Sequence, residues 1–388
     1  MNKFLISVTA MAALGAQTAV SQSRSFISGF ELGSLAEGSG NGGTVEPFAG
    51  RSGSYAYRAN PTYANHHIVF QSRSAGGGLR QIFKSSRFYL KVASLPISGS
   101  VALVKVGGAA TFNPEVDLNS DGTLTLADSW YPSIARSAKH LTADGAWHLI
   151  EFAVGDGLSV HVDGELWAQG GSGAYPAGTA IILGAGPSKT TVNTTADLYF
   201  DDLLVDSGSA RIGPGHAVLL KPTADPANLN SWTNGGGGTS SLWMPVANVP
   251  ANGRTPANSN NMTQIKNTKA GSNQDYKPSV QTYASAGVTG FVNAVMALSN
   301  DGQENTKGQA KAGAVWIDQN PAQAAGYSFD FGDRYYAIGN FPAGWISHGG
   351  PVTSNPAVNL NAAPVVAVRK SSGSGVHVDF LGVYVDYR

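Results

Sequence analysis

The side chains able to do chemistry fall into four groups. Asp117-Leu118-Asn119-Ser120-Asp121-Gly122 sets oxygen ligands at the first, third and fifth positions of a calcium loop and glycine at the sixth. The twelfth position is Asp128, shorter than the usual glutamate, and the flanks read as strand and not as helix. A hairpin turn is the better reading of this stretch. Eight histidines are present: His66, His67, His140, His148, His161, His216, His348 and His377. Adjacent His66 and His67 would point to opposite faces of a strand, and His148 with His161 suggests contact between neighbouring strands and no more. Glycoside hydrolysis needs two carboxylates roughly 5 to 9.5 Å apart. Glu151 with Asp163 or Glu165 is the pair that neighbouring strands would offer. Glu151 lies between Ile150 and Phe152, however, so alternation turns it away from the core, to a face read as solvated. Gly-x-Ser-x-Gly, His-Glu-x-x-His and phosphate-loop patterns are absent, and the expectation is a protein without catalysis. Aromatic residues form the last group. Trp130, Tyr131, Trp167, Tyr175, Trp232, Trp243, Tyr335, Tyr336 and Trp345 fall in or near predicted loops, where rings are freer to meet a ligand. Trp130, Tyr131, Trp167 and Tyr175 are the expected ligand-binding residues.

The elements that position these groups read as strands. Phe88–Val92, Val101–Val106, Thr123–Leu126, Trp147–Val154, Leu158–Asp163, Thr179–Leu183 and Leu198–Val205 are apolar or alternating runs separated by Gly, Ser, Asn and Asp. Asp163-Gly164 is the favoured composition for a two-residue hairpin turn, and Ser120-Asp121-Gly122-Thr123 offers similar chemistry. Strands resume at Val288–Val295, Ala314–Ile317, Val365–Val368 and Val376–Val385, after a Gly/Asn/Pro-rich stretch from Thr223 to Asn261. No amphipathic helix of three turns follows the N-terminal segment. The expected fold is all-β, two β-sandwich (jelly-roll) domains in tandem, over 26–209 and 211–388.

Composition narrows the function. In 388 residues, 25 Lys and Arg balance 25 Asp and Glu, and charged residues make up only 13%. A neutral surface lacks the basic footprint that nucleic acid requires. Cysteine is absent, which removes disulfides, thiolate chemistry and Cys-based zinc sites. Residues 1–21 hold Lys3, the apolar run from Phe4 to Ala16 and the small-x-small site Ala19-Val20-Ser21. The segment reads either as a secretory signal peptide or as a packing segment retained on the protein. No later apolar run reaches the length of a membrane-spanning helix.

Gly145-Ala146-Trp147-His148-Leu149-Ile150-Glu151-Phe152, followed by Val160-His161-Val162-Asp163-Gly164-Glu165, resembles the laminin-G-like, concanavalin-type jelly rolls. Gly29-Phe30-Glu31 and Leu198-Tyr199-Phe200-Asp201-Asp202 look like the first and last strands of that family. The resemblance implies a β-sandwich of about 180 residues, such as serves in lectins, adhesion modules and structural units. It also implies a calcium ion clamped between carboxylates, with Glu31 and Asp202 as ligands and Asp201 as a spare. The second half resembles the C-terminal part of minor structural proteins of tailed bacteriophages. Gly213–Pro222, Asn230-Ser231-Trp232-Thr233, Ser241-Leu242-Trp243, Met262–Asn267, Asn320-Pro321-Ala322-Gln323 and Phe380–Val385 carry that likeness. The function expected from these readings is a virion structural protein that binds glycans or a host surface. The alternatives are a secreted jelly-roll lectin or adhesin and an exported scaffold domain. Expected partners are other virion proteins or copies of the chain itself as a homo-oligomer.

Overall fold

In the computed structural model the described residues are 24–31, 33, 35, 39–60, 66–73, 83–108, 112–184, 194–206, 208, 211–229, 231–234, 265–267, 274–289, 291–300, 308–312, 315–318, 327–330, 335–339, 361, 363, 366–370 and 376–388. The N-terminal segment 1–21, Trp243, Trp345, His348, Met262-Thr263-Gln264 and Asn320–Gln323 lie outside them, and Tyr335, Tyr336 and His377 are described only as strand backbone.

Alternation of apolar and polar residues produces strands throughout. Sixteen matter here: β1 (Arg24–Ser28), β2 (Ser39–Asn41), β3 (Thr44–Pro47), β4 (Tyr55–Ala59), β5 (His67–Arg73), β6 (Ser85–Ser94), β7 (Ser100–Gly107) and β8 (Glu115–Asn119), then β9 (Thr123–Ala127), β10 (Ala135–His140), β11 (Trp147–Val154), β12 (Leu158–Val162), β13 (Glu165–Gly170), β14 (Ala180–Gly184), β15 (Asp197–Asp206) and β16 (His216–Leu220). The protein is all-β, with antiparallel sheets. One sheet runs β13-β12-β11-β6-β15-β4-β3, with β1 also on β15. The facing sheet runs β10-β9-β8-β7-β14-β5 and carries β2 on β5. Phe88, Leu90 and Val92 of β6 and Ile150, Phe152 and Val154 of β11 point into one core with Val104, Leu118 and Leu126 of the facing sheet. Full burial of each such side chain contributes about 1.5–3 kcal/mol.

The second sheet does not stop at β5. Tyr327–Asp330 pairs with β5, and the sheet continues through Tyr335–Gly339 and Phe291–Asn300 to the C-terminal strand Val376–Tyr387, on which β16 also lies. A separate four-stranded sheet joins Gln274–Tyr276, Val366–Lys370, Gly308–Ala312 and Val315–Asp318.

Two turns follow their sequence. Asp163 and Gly164 both have positive φ, 51° and 86°, and close β12 onto β13 with Val162 opposite Glu165, as a type I′ turn requires. The Asp117–Asp128 stretch is a β8–β9 hairpin with Leu118 opposite Leu124. The first strand of the sandwich is set differently from expectation: β1 ends at Ser28, and Phe30 at φ 56° turns the chain, so Glu31 follows the strand and is not on it.

Three outward rows cross the first sheet, and their covering decides what can bind there. The row Glu151–Arg87–Leu204 is buried. Arg211 and the Gly213 N–H hold Glu151, Asp386 holds Arg87 at 3.1 Å, and Leu204 packs with Ile212, Ala217, Leu219 and Tyr384. The next row, Leu149–Tyr89–Asp201, lies under Arg51 and Ser52. The third, Trp147–Lys91–Tyr199–Arg58, is half-buried and carries no such cover from 211–220. Glu151 does face away from the core, but that face is covered, which corrects its reading as solvated.

Candidate functional site

The loop after β9 presents two rings to solvent from a fixed backbone. Asp128 is 2% exposed; one carboxylate oxygen accepts the N–H groups of Trp130 at 2.7 Å and Tyr131 at 2.8 Å. Its other oxygen accepts the Tyr175 hydroxyl at 3.0 Å, while its own N–H donates to the Tyr131 carbonyl. This is the local side-chain-to-backbone bonding that aspartate favours in turns. The neighbouring loop locks on. The Ser129 N–H donates to the Phe112 carbonyl, and the Asn113 amide accepts from Gly108 N–H and donates to the Ser129 hydroxyl. Phe112 meets Tyr175 edge-on, with ring centroids 5.5 Å apart. Burial, and then the bond to Asp128, pushes the Tyr175 hydroxyl up to about 12, so it stays a donor.

Trp130 and Tyr131 remain 64% and 63% exposed above this scaffold. Exposed rings on an ordered backbone lose little freedom when they meet a flat apolar surface. The structure thus brings together three of the four residues singled out in the sequence, in two roles: Trp130 and Tyr131 face solvent, and Tyr175 is a buried support. Trp167 goes elsewhere. It lies within strand β13 and not in a loop, half-buried against the main core. Trp232 is fully buried, with Tyr276 at 6.0 Å, and Tyr335 and Tyr336 belong to a strand. Phe112 and Asn113 were not singled out, and Asp128 was weighed only as the twelfth position of a calcium loop, although Asp two residues before an aromatic pair is a readable turn signal.

The carboxylates proposed for calcium lie beside one loop, 51–54, which they hold by direct hydrogen bonds. Asp202 sits at φ 51° in a bulge of β15 between register positions 201 and 204. It accepts from the Arg51 guanidinium at 2.6 Å, the Ser52 hydroxyl at 2.7 Å and the Ala217 N–H at 2.5 Å. Asp201 accepts from the N–H groups of Arg51, Ser52 and Asp202, and Glu31 from those of Ser54 and Tyr55. Calcium needs six to eight oxygen ligands. Here a fixed guanidinium occupies the cation position against Asp202, and no group of three or more metal-ligating side chains exists among the described residues. The donor set does not fit the ion. His216 completes the cluster, its Nδ1 2.6 Å from the Ser52 hydroxyl and its ring stacked on Tyr387. Burial, then Arg51, lowers its pKa; burial, then Asp202, holds Asp201 well above the carboxylate range.

The remaining candidates are committed elsewhere. Asp121 binds Thr123 and Arg136, and Asn119 binds Thr123 and Thr125. Asp163 bonds His148 and the Leu149 N–H; Glu165 pairs with Lys139 at the surface. His161 stands opposite Glu151, not His148. The carboxylates of Glu151, Asp163 and Glu165 thus each serve a different local contact.

The chain matches no protein-family model and no curated protein. Solved structures with a similar strand arrangement include a Trypanosoma rangeli sialidase in complex with 2,3-difluorosialic acid, 13% identical over 40% of this chain and 26% of that one, TM-score 0.32. The chain thus spans about a quarter of the sialidase's length. A Bacillus subtilis protein of unknown function with a galectin-like fold is 10% identical over 49% of this chain and 98% of that one, TM-score 0.35. The carbohydrate-binding module CBM66 from Bacillus subtilis is 10% identical over 43% and 93%, TM-score 0.29.

Proposed function

We propose that this is a non-catalytic attachment protein that holds glycans on the Trp130–Tyr131 platform. The observation that supports it is the pairing of two largely exposed rings with a backbone tied by buried Asp128. Aromatic faces suit the apolar C–H faces of sugar rings, and prior ordering removes much of the entropic cost of binding. The reading without catalysis is supported by the carboxylates, each of which is engaged by its own partners: Glu151 by Arg211 and the Gly213 N–H, Asp163 by His148 and the Leu149 N–H, and Glu165 by Lys139.

The setting we infer is the surface of a tailed-phage particle, supported by the resemblance of Gly213–Pro222 and Phe380–Val385 to phage structural proteins. An exported lectin is the second reading, favoured by the apolar run from Phe4 to Ala16 with Ala19-Val20-Ser21 behind it. A glycan array probed with the full chain and with the Trp130→Ala/Tyr131→Ala variant tests the binding role. Binding by the parent and loss in the variant is the expected result; an array on which both behave alike contradicts it. Release of new reducing ends from any bound glycan would contradict the non-catalytic reading.

A further inference from the structure

The half-buried outward row of the first sheet is a built surface of a different kind. Trp147 on β11 stands directly opposite Lys91 on β6, Lys91 opposite Tyr199 on β15, and Tyr199 opposite Arg58 on β4. Strands lie about 4.8 Å apart, so ring, cation, ring and cation alternate along a line of about 14 Å. The side chains touch. Lys91 Nζ is 5.0 Å from the Trp147 ring centroid and 4.3 Å from that of Tyr199, and the Arg58 guanidinium carbon is 5.4 Å from Tyr199. The two cations differ in their partners. Arg58 is forked onto Asp197 by two bonds of 2.8 Å, with Glu46 at 3.9 Å. Lys91 has no carboxylate partner among the described residues.

We propose that this row is a second binding site, for a sugar chain that carries carboxylates. Trp147 and Tyr199 supply ring faces for the C–H surfaces of successive sugars. Lys91, held between them, supplies the charge that a carboxylate needs, and Asp197 keeps Arg58 in place as a rigid polar edge. A neutral sugar stacks on the same rings but leaves the half-buried ammonium unmatched, so the site discriminates by charge. The row is independent of the Trp130–Tyr131 platform. Trp147 opens β11, whereas the Gly155 carbonyl that accepts the Tyr175 N–H follows its end, a strand length of about 26 Å away.

Calorimetric titration of the full chain with oligogalacturonate and with oligosialate tests the site and separates its two carboxylate sources. At least one is expected to bind saturably, more weakly as salt is raised. Carboxyl-reduced oligogalacturonate is expected to bind about tenfold less well than the acid, and Lys91→Gln to bring the acid down to that level, since a charge-assisted bond is worth about one decade. Trp147→Ala should weaken acid and neutral chains alike, whereas Trp130→Ala/Tyr131→Ala, which removes the other platform, should leave the preference for the acid over the reduced chain and its salt dependence in place. Lys91→Gln, at a half-buried surface position, keeps the test clear of folding defects, checked by an unchanged thermal midpoint. Failure of both acidic chains to bind would overturn the proposal, as would equal binding of the reduced chain or an unaffected Lys91→Gln variant. Equally tight binding of poly-L-glutamate would overturn the choice of a sugar.

Discussion

Arg87 and Asp386 form an ion pair with side chains 0% and 1% exposed, bonded at 3.1 Å, and they join β6 of the sandwich to the C-terminal strand. Arg87 also donates to the Gly213 carbonyl, so the pair fixes the segment that covers the outer face. Removal of one partner strands the other charge in a dry site, which costs about 3–5 kcal/mol. Replacement of both by apolar residues of similar volume is often neutral, because the desolvation of two ions is removed with their attraction. Arg87→Met and Asp386→Leu should therefore each lose about 3–5 kcal/mol, a large share of the roughly 5–15 kcal/mol that a domain possesses. The double variant should return to within about 1 kcal/mol of the parent. Equilibrium urea unfolding of the four proteins gives the cycle. Single losses below about 1 kcal/mol, or a double variant whose loss equals the sum of the singles, would refute a role for this pair as a buried and mutually dependent lock.

Other consequences follow from the same geometry. Burial lowers the pKa of His216, His66 and His161. The folded state then binds fewer protons than the unfolded one, so stability present above about pH 6.5 is lost as pH falls through the folded values. His216→Asn should flatten that acid-side slope in urea midpoints measured between pH 7 and pH 5; an unchanged slope would exclude His216 as a contributor. Asp201 works in the opposite sense, because its raised pKa favours the folded state at low pH and the benefit disappears as pH rises. Gly122→Ala should lower the thermal midpoint more than Gly164→Ala. Both have strongly positive φ, but a Cβ at 122 would collide with the Leu141 carbonyl oxygen, whereas at 164 it meets only the tip of Arg211; the latter change costs about 1–2 kcal/mol. Asp128→Ala leaves both exposed rings in place and releases the loop beneath them, so glycan affinity should fall about tenfold with little change in the fluorescence of the buried tryptophan Trp232.

Strand by strand, much of the sandwich is legible. β6, β7, β9, β11, β12 and β15 lie where apolar runs and alternation place them, because period-two burial is a local property. The Asp163-Gly164 turn is legible for the same reason, since two adjacent residues must accept positive φ. What covers a face is not local. Alternation turns Glu151 outward, and only the fold brings Arg211 and Gly213, about sixty positions later, to cover it. The Arg51 guanidinium, far from Asp202 in sequence, likewise fills the position where a calcium ion was expected. The ring-and-cation row draws on four separated strands, and no spacing along the chain marks it. Trp167 fails as a loop residue because the two-residue Asp163-Gly164 turn returns the chain to the sheet at Glu165, which leaves the ring within β13.

The central claim is that rigidly held, exposed rings at Trp130 and Tyr131 bind sugar. Affinity electrophoresis through gels that contain the polysaccharide bound most strongly on a glycan array measures it directly, with the parent beside Trp130→Ala/Tyr131→Ala. Truncation of a dominant aromatic contact costs about 2 kcal/mol or more, roughly thirtyfold in affinity. The parent should therefore be retarded in proportion to polysaccharide concentration while the variant migrates as in an empty gel. Equal retardation of both proteins, or of neither, would contradict the claim.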